Sequence, residues 1–193
     1  MSVGRLAARG LIGGLFIGHG TQKLFGWFGG PGRAGTEGMM ASLQMHPAKL
    51  NALAAGVTET AGGAMLAAGL ATPLAASALT GVMTTAIKKV HLANGPWAAK
   101  GGWEYNAVLI AAVTALAEIG PGAFSLDRRW GLERTGPAWG VAALVTGVGA
   151  AALTMAAAGR AAASLPASSI PDATPAPPAS LGDTAGDPAT ADA

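Results

Sequence analysis

The sequence predicts an all-α protein, a polytopic bundle of helices that cross a membrane. Hydrophobic residues make up 51 % of the 193 residues and charged residues only 11 %, whereas about 25 % of an ordinary soluble protein is charged. The apolar residues are gathered in five blocks, and each block has a length that suits a bilayer-crossing helix, about 17–25 residues. Clusters of glycine and proline separate the blocks, which indicates turns between helices.

Composition also excludes several classes of function. The chain has no cysteine, so disulfides, thiol redox chemistry, cysteine-held iron–sulfur clusters and thiolate zinc sites are excluded within it. The net charge of +2 is too small to indicate nucleic acid as a partner. Arg5 and Arg9 come before an apolar run, as in a signal peptide. Because His19 and Lys23 interrupt that run and no clear cleavage site follows, we expect a retained first helix.

The first block runs from about Leu6 to Phe28 and carries two polar residues. His19 and Lys23 are four residues apart, so they share one face of a helix. The loop at 29–46 follows, and within it Gly38 to Met45 is expected to lie on the membrane surface. Three glycines at the same four-residue spacing predict a flat stripe for close helix packing: Gly10, Gly14 and Gly18.

The second and third blocks form a predicted antiparallel hairpin. The second runs from about Ala48 to Ala71, where Thr72 is expected to cap the next helix and Pro73 to begin it. The third runs from Leu74 to about Val90. It ends in three basic residues: Lys88, Lys89 and His91.

The fourth block runs from Trp103 to Ile119 and carries a carboxylate at each end. A short helix on the membrane face is expected between Ser125 and Arg134, and the uncharged fifth block, from about Ala138 to Ala158, is expected to pack at the bundle edge. The predicted organisation is a four-helix domain at 1–135, an added transmembrane helix at 136–158 and a disordered Ala/Pro-rich tail at 159–193.

One carboxylate, Glu59, lies in the middle of the second block. An ionisable side chain there costs roughly 2.5–3.5 kcal/mol on insertion scales, so it usually faces protein and has a partner. The residues on its helical face are mostly small, which would let another backbone come close. We therefore expect Glu59 to face the bundle interior. The small residues that share its helical face are Ala52, Ala55, Gly56, Gly62 and Gly63.

In an up-down bundle, His19 and Glu59 lie at one level, about 13–14 Å below the same interface at 1.5 Å per residue. Polar residues from all four helices then gather in that half. Glu118 remains in the opposite half, where Arg5 and Arg9 are near enough to neutralise it. The candidate pocket is His19, Lys23, Glu59, Lys88, His91, Trp103, Glu104 and Tyr105.

A pocket of this composition suits a flat lipophile with polar oxygens, such as a quinone. Lys23 or His19 could donate to a quinone oxygen, and Glu59 or Glu104 could hold the proton that the quinone exchanges. The candidate cofactor-binding residues are therefore Lys23, Glu59 and Glu104. No catalytic residue is assigned, and no metal or haem is predicted.

Simpler interpretations of the same residues stay open. Lys23 could extend only to the interface, and Glu59 could form an internal ion pair with Lys23 or His19 that fixes the helix register. Glu104 could favour the start of its helix through the helix dipole. His19 and His91 could ligate haem as a pair, which their spacing supports only weakly.

Several stretches together resemble the DoxX family of bacterial inner-membrane proteins, over roughly residues 5–130. Lys23 and Glu59 match the polar positions of the family's first two helices, Gly101 to Tyr105 match the motif that opens helix four, and Asp127 matches the closing SLD. The stretches are GHGTQKLFGWFGGPGRAGTEGMM, ETAGG with GLATPLAA, GGWEYNAVL and GPGAFSLDRRWG.

The resemblance implies a four-helix membrane bundle in the bacterial inner membrane, here with a fifth transmembrane helix, and a link to quinone-coupled redox or oxidative-stress chemistry. We therefore expect a subunit of a membrane redox complex, which needs a protein partner and can form homo-oligomers, rather than a self-sufficient enzyme. The alternatives are a non-catalytic anchor for soluble redox enzymes, and a small-solute or proton pathway. Five basic residues lie on the N-terminal side and six on the other side. The expected cytoplasmic N-terminus therefore rests on counting Lys88 and Lys89 with the pocket.

Overall fold

The computed structural model describes residues 3–166, and all regular secondary structure in that range is helical. The long helices are α1 (Val3–Phe25), α3 (Ala48–Ala68), α4 (Thr72–Ala86), α5 (Glu104–Ile119) and α7 (Pro137–Ala163). Two shorter helices, α2 (Gly32–Ser42) and α6 (Leu126–Arg129), lie in the connections. The all-α prediction is confirmed.

Helix α1 packs along α3 through glycines, although not through the predicted stripe. A Cβ atom built on Gly13 would lie 2.5 Å from the Gly63 carbonyl oxygen, and one built on Gly63 would lie 2.6 Å from that of Gly13. Backbone therefore meets backbone at this crossing. The predicted stripe was wrong, because Cβ atoms on Gly10, Gly14 and Gly18 would meet nothing within 4 Å.

Helix α2 begins at Gly32, earlier than the predicted surface segment, and packs on α1 and α3. Its buried side chains are Thr36 and Met40. The Thr36 hydroxyl donates to the Gly32 carbonyl at 2.7 Å and lies 3.3 Å from the Lys23 carbonyl. One side of α2 therefore packs on the bundle, while its other side is exposed.

Helices α3 and α4 form the predicted hairpin. Helix α3 ends at Ala68 because Gly69 takes a left-handed conformation, with φ 64°, three residues before the predicted end. Thr72 is the first residue of α4 and not its cap. The cap comes from α6, where the Asp127 carboxylate accepts from the Ala71 and Thr72 amides at 2.7 and 3.0 Å and from the Thr72 hydroxyl at 2.9 Å.

Arg9 lies buried at the same end of the molecule. Its guanidinium donates to the carbonyls of Pro121, Ala67 and Phe124, the last two at 3.1 and 2.7 Å. Arg9 was expected to neutralise Glu118. It instead satisfies carbonyls where α3 ends and where the α5–α6 loop turns, while Glu118 is exposed beside Gly140 of α7.

Helix α7 has 27 residues and is about 40 Å long. Its first half packs on α4 and α5, with Ala143 in the main core, and its last turns pack on α2 and α3. It extends to Ala163, so the first residues of the predicted tail are helical. The rest of that prediction, at 167–193, lies outside the described residues.

The main core joins α1, α3, α4, α5 and α7 around Phe16, Leu66, Leu79 and Val113. Within residues 3–166, α7 alone is long and apolar enough to cross a membrane by length and composition. Helices α4 and α5 have only 15 and 16 residues. That the other helices also cross therefore stays a prediction.

Candidate functional site

A buried ion pair joins α1 to α3. The Lys23 Nζ atom lies 2.6 Å from Glu59 Oε2, with the Glu59 side chain 3 % exposed and that of Lys23 20 % exposed. Glu59 therefore faces the bundle interior and meets one of the two basic residues considered from the sequence. Charge-assisted hydrogen bonds of this length are among the stronger polar contacts in proteins.

Glycines set the separation of the two helices beside this pair. A Cβ on Gly20 would collide with the Thr60 hydroxyl, and one on Gly56 would lie 2.7 Å from the Leu24 side chain. Because neither position carries a side chain, α1 and α3 come close enough for Lys23 to contact Glu59 directly. The absence of side chains at Gly20 and Gly56 therefore positions the ion pair.

The pair borders a cavity of about 760 Å³. Helices α1, α2, α3, α4, α5 and α7 all contribute to its walls, which are mainly apolar. Of the eight predicted pocket residues, the structure places five on this cavity: His19, Lys23, Glu59, His91 and Tyr105.

The other three predicted residues do not line the cavity. Glu104 accepts a hydrogen bond from the Ala98 amide at 2.7 Å, so its carboxylate fastens the loop before α5. Trp103 precedes α5 without reaching the cavity, and Lys88 is exposed at the surface. Adjacent residues on a helix point about 100° apart, and here Lys89 is the lysine that faces inward.

Lys89 and His91 follow α4 in a π-helical turn, Ile87–His91, at the polar end of the cavity. Lys89 Nζ donates to the Leu43 carbonyl at 3.1 Å and so links α4 to α2. His91 Nδ1 lies 2.7 Å from the Gly101 carbonyl oxygen. A carbonyl only accepts, so Nδ1 carries the proton and Nε2 of the neutral ring is an acceptor.

The sequence analysis missed several lining residues. Asn106 is buried in α5, and its Nδ2 atom lies 3.3 Å from the Met83 sulfur. Asn106 stands two residues after Glu104. Like Glu59, it is a polar side chain inside an apolar helix, and this pattern could have identified it from the sequence. Thioethers form much of the remaining wall, with their polarisable sulfur atoms on Met39, Met40, Met45 and Met83.

A second, water-sized space of about 10 Å³ lies on another side of Lys23. Its polar lining comes from Arg33 and Glu37 of α2 and Lys49 of α3, and all three of these side chains are exposed. Lys23 lines both spaces, so one residue borders the large cavity and a polar surface crevice.

The fold and the site define an all-helical bundle with an acid–base pair beside a mainly apolar cavity. Residues 4–92 match the family model DoxX, and this match supports membership of the DoxX family. Both helices that carry the ion pair lie inside the match, whereas α5, α6 and α7 lie outside it. No curated protein and no solved structure gives a match to the chain.

The predicted family is thus confirmed, and it indicates a membrane-associated protein with a suggested link to redox or oxidative-stress chemistry.

Proposed function

We propose that this chain is an integral membrane subunit of a redox complex and binds a quinone-like lipophile in the cavity beside Lys23 and Glu59. The observation that carries the proposal is a buried acid–base pair at the wall of an apolar cavity of about 760 Å³. Sites for small molecules typically have about 300–1,000 Å³, mostly apolar walls and a few well-placed polar groups.

The polar groups fit the oxygens of a quinone. Lys23 is a donor, His91 offers Nε2 as an acceptor when neutral or as a donor when protonated, and Asn106 offers an amide. Methionine and alanine side chains supply apolar surface for a ring. A bound quinone would supply electron-accepting chemistry coupled to proton uptake.

Proton transfer is the task that we assign to the chain itself. Glu59 and Lys23 lie in direct hydrogen-bond contact, so a proton passing between them needs no rearrangement of the helices. Lys23 also borders the surface crevice with Arg33 and Glu37. That crevice gives the pair a path for proton exchange with the outside, while electrons come from a protein partner.

Exposed apolar side chains support a location in the bilayer. Leu11, Leu50, Leu74 and Leu153 are each more than half exposed and belong to four different long helices. Large exposed apolar surfaces are rare on soluble monomers and typical of lipid or protein contact. A lipid-soluble ligand would reach the cavity from the same phase.

Quinone titration of the full chain in lipid nanodiscs tests the proposal. We expect saturable binding of decylubiquinone to the wild type, and binding roughly 10- to 150-fold weaker for Glu59→Gln. That change removes the charge-assisted contact that positions Lys23, and loss of such a contact costs roughly 1.5–3 kcal/mol. Glu118→Gln is the matched control, since Glu118 is exposed and away from the cavity. Equal, unsaturable partitioning by the wild type and Glu59→Gln would refute a specific site.

A second candidate function is a membrane anchor in which the ion pair only holds α1 to α3. The completeness of the pair favours it, since Lys23 and Glu59 satisfy each other at 2.6 Å without a ligand. The double change Lys23→Met with Glu59→Gln separates the two. An anchor recovers abundance and cellular phenotype together, whereas a quinone site recovers abundance but not binding.

A further inference from the structure

Helix α7 borders the cavity between two positions at which it packs closely on other parts of the bundle. At the first, a Cβ on Gly147 would lie 2.5 Å from the Ser77 carbonyl oxygen, so the backbones of α7 and α4 are in direct contact. About three turns later, Ala158 packs in a buried cluster with Met40 of α2, Met45 of the α2–α3 connection and Ala52 of α3. Between these points, α7 presents Ala150, Ala151 and Thr154 to the cavity.

The part of the cavity beside α7 differs in polarity from the rest. The charged lining groups come from α1, α3 and the turn after α4. Facing α7, helix α4 contributes Ser77, Ala78 and Gly81, and α7 contributes two alanines and a threonine. This part has small, uncharged walls and suits a flexible apolar chain better than a polar head group.

The cavity also opens beside α7. Ala150 and Thr154 of α7 line the cavity and are exposed, and Leu74 of α4, which also lines it, is 63 % exposed. Helix α7 meets the length and composition criterion for a membrane span, so surface exposed along it would face lipid. An opening at this position leads sideways into the bilayer and not toward water.

We propose that α7 borders the path of the ligand's apolar tail, and that the small side chains of Ala150 and Ala151 set how bulky a tail can pass. The inference rests on the proposed function and deepens it, because it divides the site into two regions. The head group lies near Lys23, Glu59 and His91, and the tail leaves between α4 and α7. Residues outside the DoxX match thereby determine which lipophile fits.

Three neighbouring alanine-to-leucine changes test this division in the nanodisc-embedded full chain. Ala150 and Ala151 line the cavity, whereas Ala152 is exposed outside it and serves as a matched control. The probes are decylubiquinone and the tail-less head group of ubiquinone. We expect Ala150→Leu and Ala151→Leu to weaken decylubiquinone binding about tenfold, to leave the head group within about twofold, and Ala152→Leu to change neither.

The outcomes separate the inference from the function on which it rests. Undiminished decylubiquinone binding by Ala150→Leu, with the head group still bound in a Glu59-dependent way, overturns the role of α7 alone. Absence of saturable binding of either probe to the wild type overturns both. Ala151 is buried and its leucine variant could fail to fold, but Ala150 is exposed and carries the test by itself.

Discussion

At the scale of single residues, Asp127 shows how a side chain on one short helix completes another helix distant in sequence. Its carboxylate takes three hydrogen bonds from Ala71 and Thr72, and its own amide donates to the Gly69 carbonyl at 2.9 Å. The first amides of a helix have no partner within the helix, and a negative charge there also favours the helix dipole. Asp127 therefore stabilises the α3–α4 hairpin and does not line the cavity.

Asp127→Ala should lower the free energy of unfolding by about 1–3 kcal/mol, since buried donors at the start of α4 lose their acceptor. Thermal unfolding in detergent measures the effect. Glu133→Gln is the control: it removes the partner of the exposed Arg128, a surface pair at 2.8 Å, and should leave the melting temperature nearly unchanged. Equal melting temperatures for the two variants would contradict the capping role.

At the scale of elements, the crossing of α1 and α3 is the contact on which the site depends. Gly13 meets Gly63, and Gly20 meets the Gly56–Thr60 turn, without an intervening side chain. Close approach of backbones in this way is characteristic of helix pairs in membranes. Lys23 follows Gly20 by one turn of α1, so the crossing determines whether it reaches Glu59.

Gly63→Ala should destabilise the protein by about 1–3 kcal/mol, because its new methyl group would lie 2.6 Å from the Gly13 carbonyl oxygen. Gly14→Ala, on the open face of α1, should be neutral or slightly stabilising through helix propensity. Melting temperatures and expression of the two variants provide the comparison. Greater damage from Gly14→Ala than from Gly63→Ala would show that α1 packs through the other face.

At the scale of the whole molecule, the long helices place two sets of loops at opposite ends. The hairpin turn and α6 lie together at one end, where Asp127 and Arg9 join them, and α2 with the turn after α4 lies at the other. Helix α5 connects the ends from Glu104 to Ile119, about 24 Å at 1.5 Å per residue. If α5 crosses the bilayer together with α7, the chain is multi-pass.

Cysteine labelling can decide this without background, because the chain has no cysteine of its own. Lys100→Cys and Arg129→Cys place exposed thiols just before and after α5. With a cytoplasmic N-terminus, we expect an impermeant maleimide to label Lys100→Cys in intact cells and Arg129→Cys only after permeabilisation. Labelling of both variants in intact cells would show that α5 does not cross.

Glycine and proline made the helix boundaries predictable. The turn at Gly69 and the stop at Gly120 agree with the predicted ends of their blocks to within three residues. The face on which α1 packs was not predictable from its glycines, because Gly10, Gly14 and Gly18 have the same spacing whether or not a partner lies beside them. In the structure, the contacts of Gly13 with Gly63 and of Gly20 with Thr60 show which face of α1 is buried.

Part of the candidate site was also predictable, for a physical reason. A carboxylate in an apolar block needs a partner, and this indicated that Glu59 faces the interior. The sequence could not show that the Glu104 carboxylate would bind the nearby Ala98 amide, since loop geometry decides that contact. Nor could it show α7 at the cavity, because the fifth block has no charged residue that would mark its inner face.

The position of Lys23 between the interior cavity and the surface crevice has a consequence for hydration. Lys23 lines both a cavity with mostly apolar walls and a space large enough for about one water molecule. We expect a much shorter side chain at this position to let more water reach the buried carboxylate. The same residue would then both neutralise Glu59 and limit its hydration.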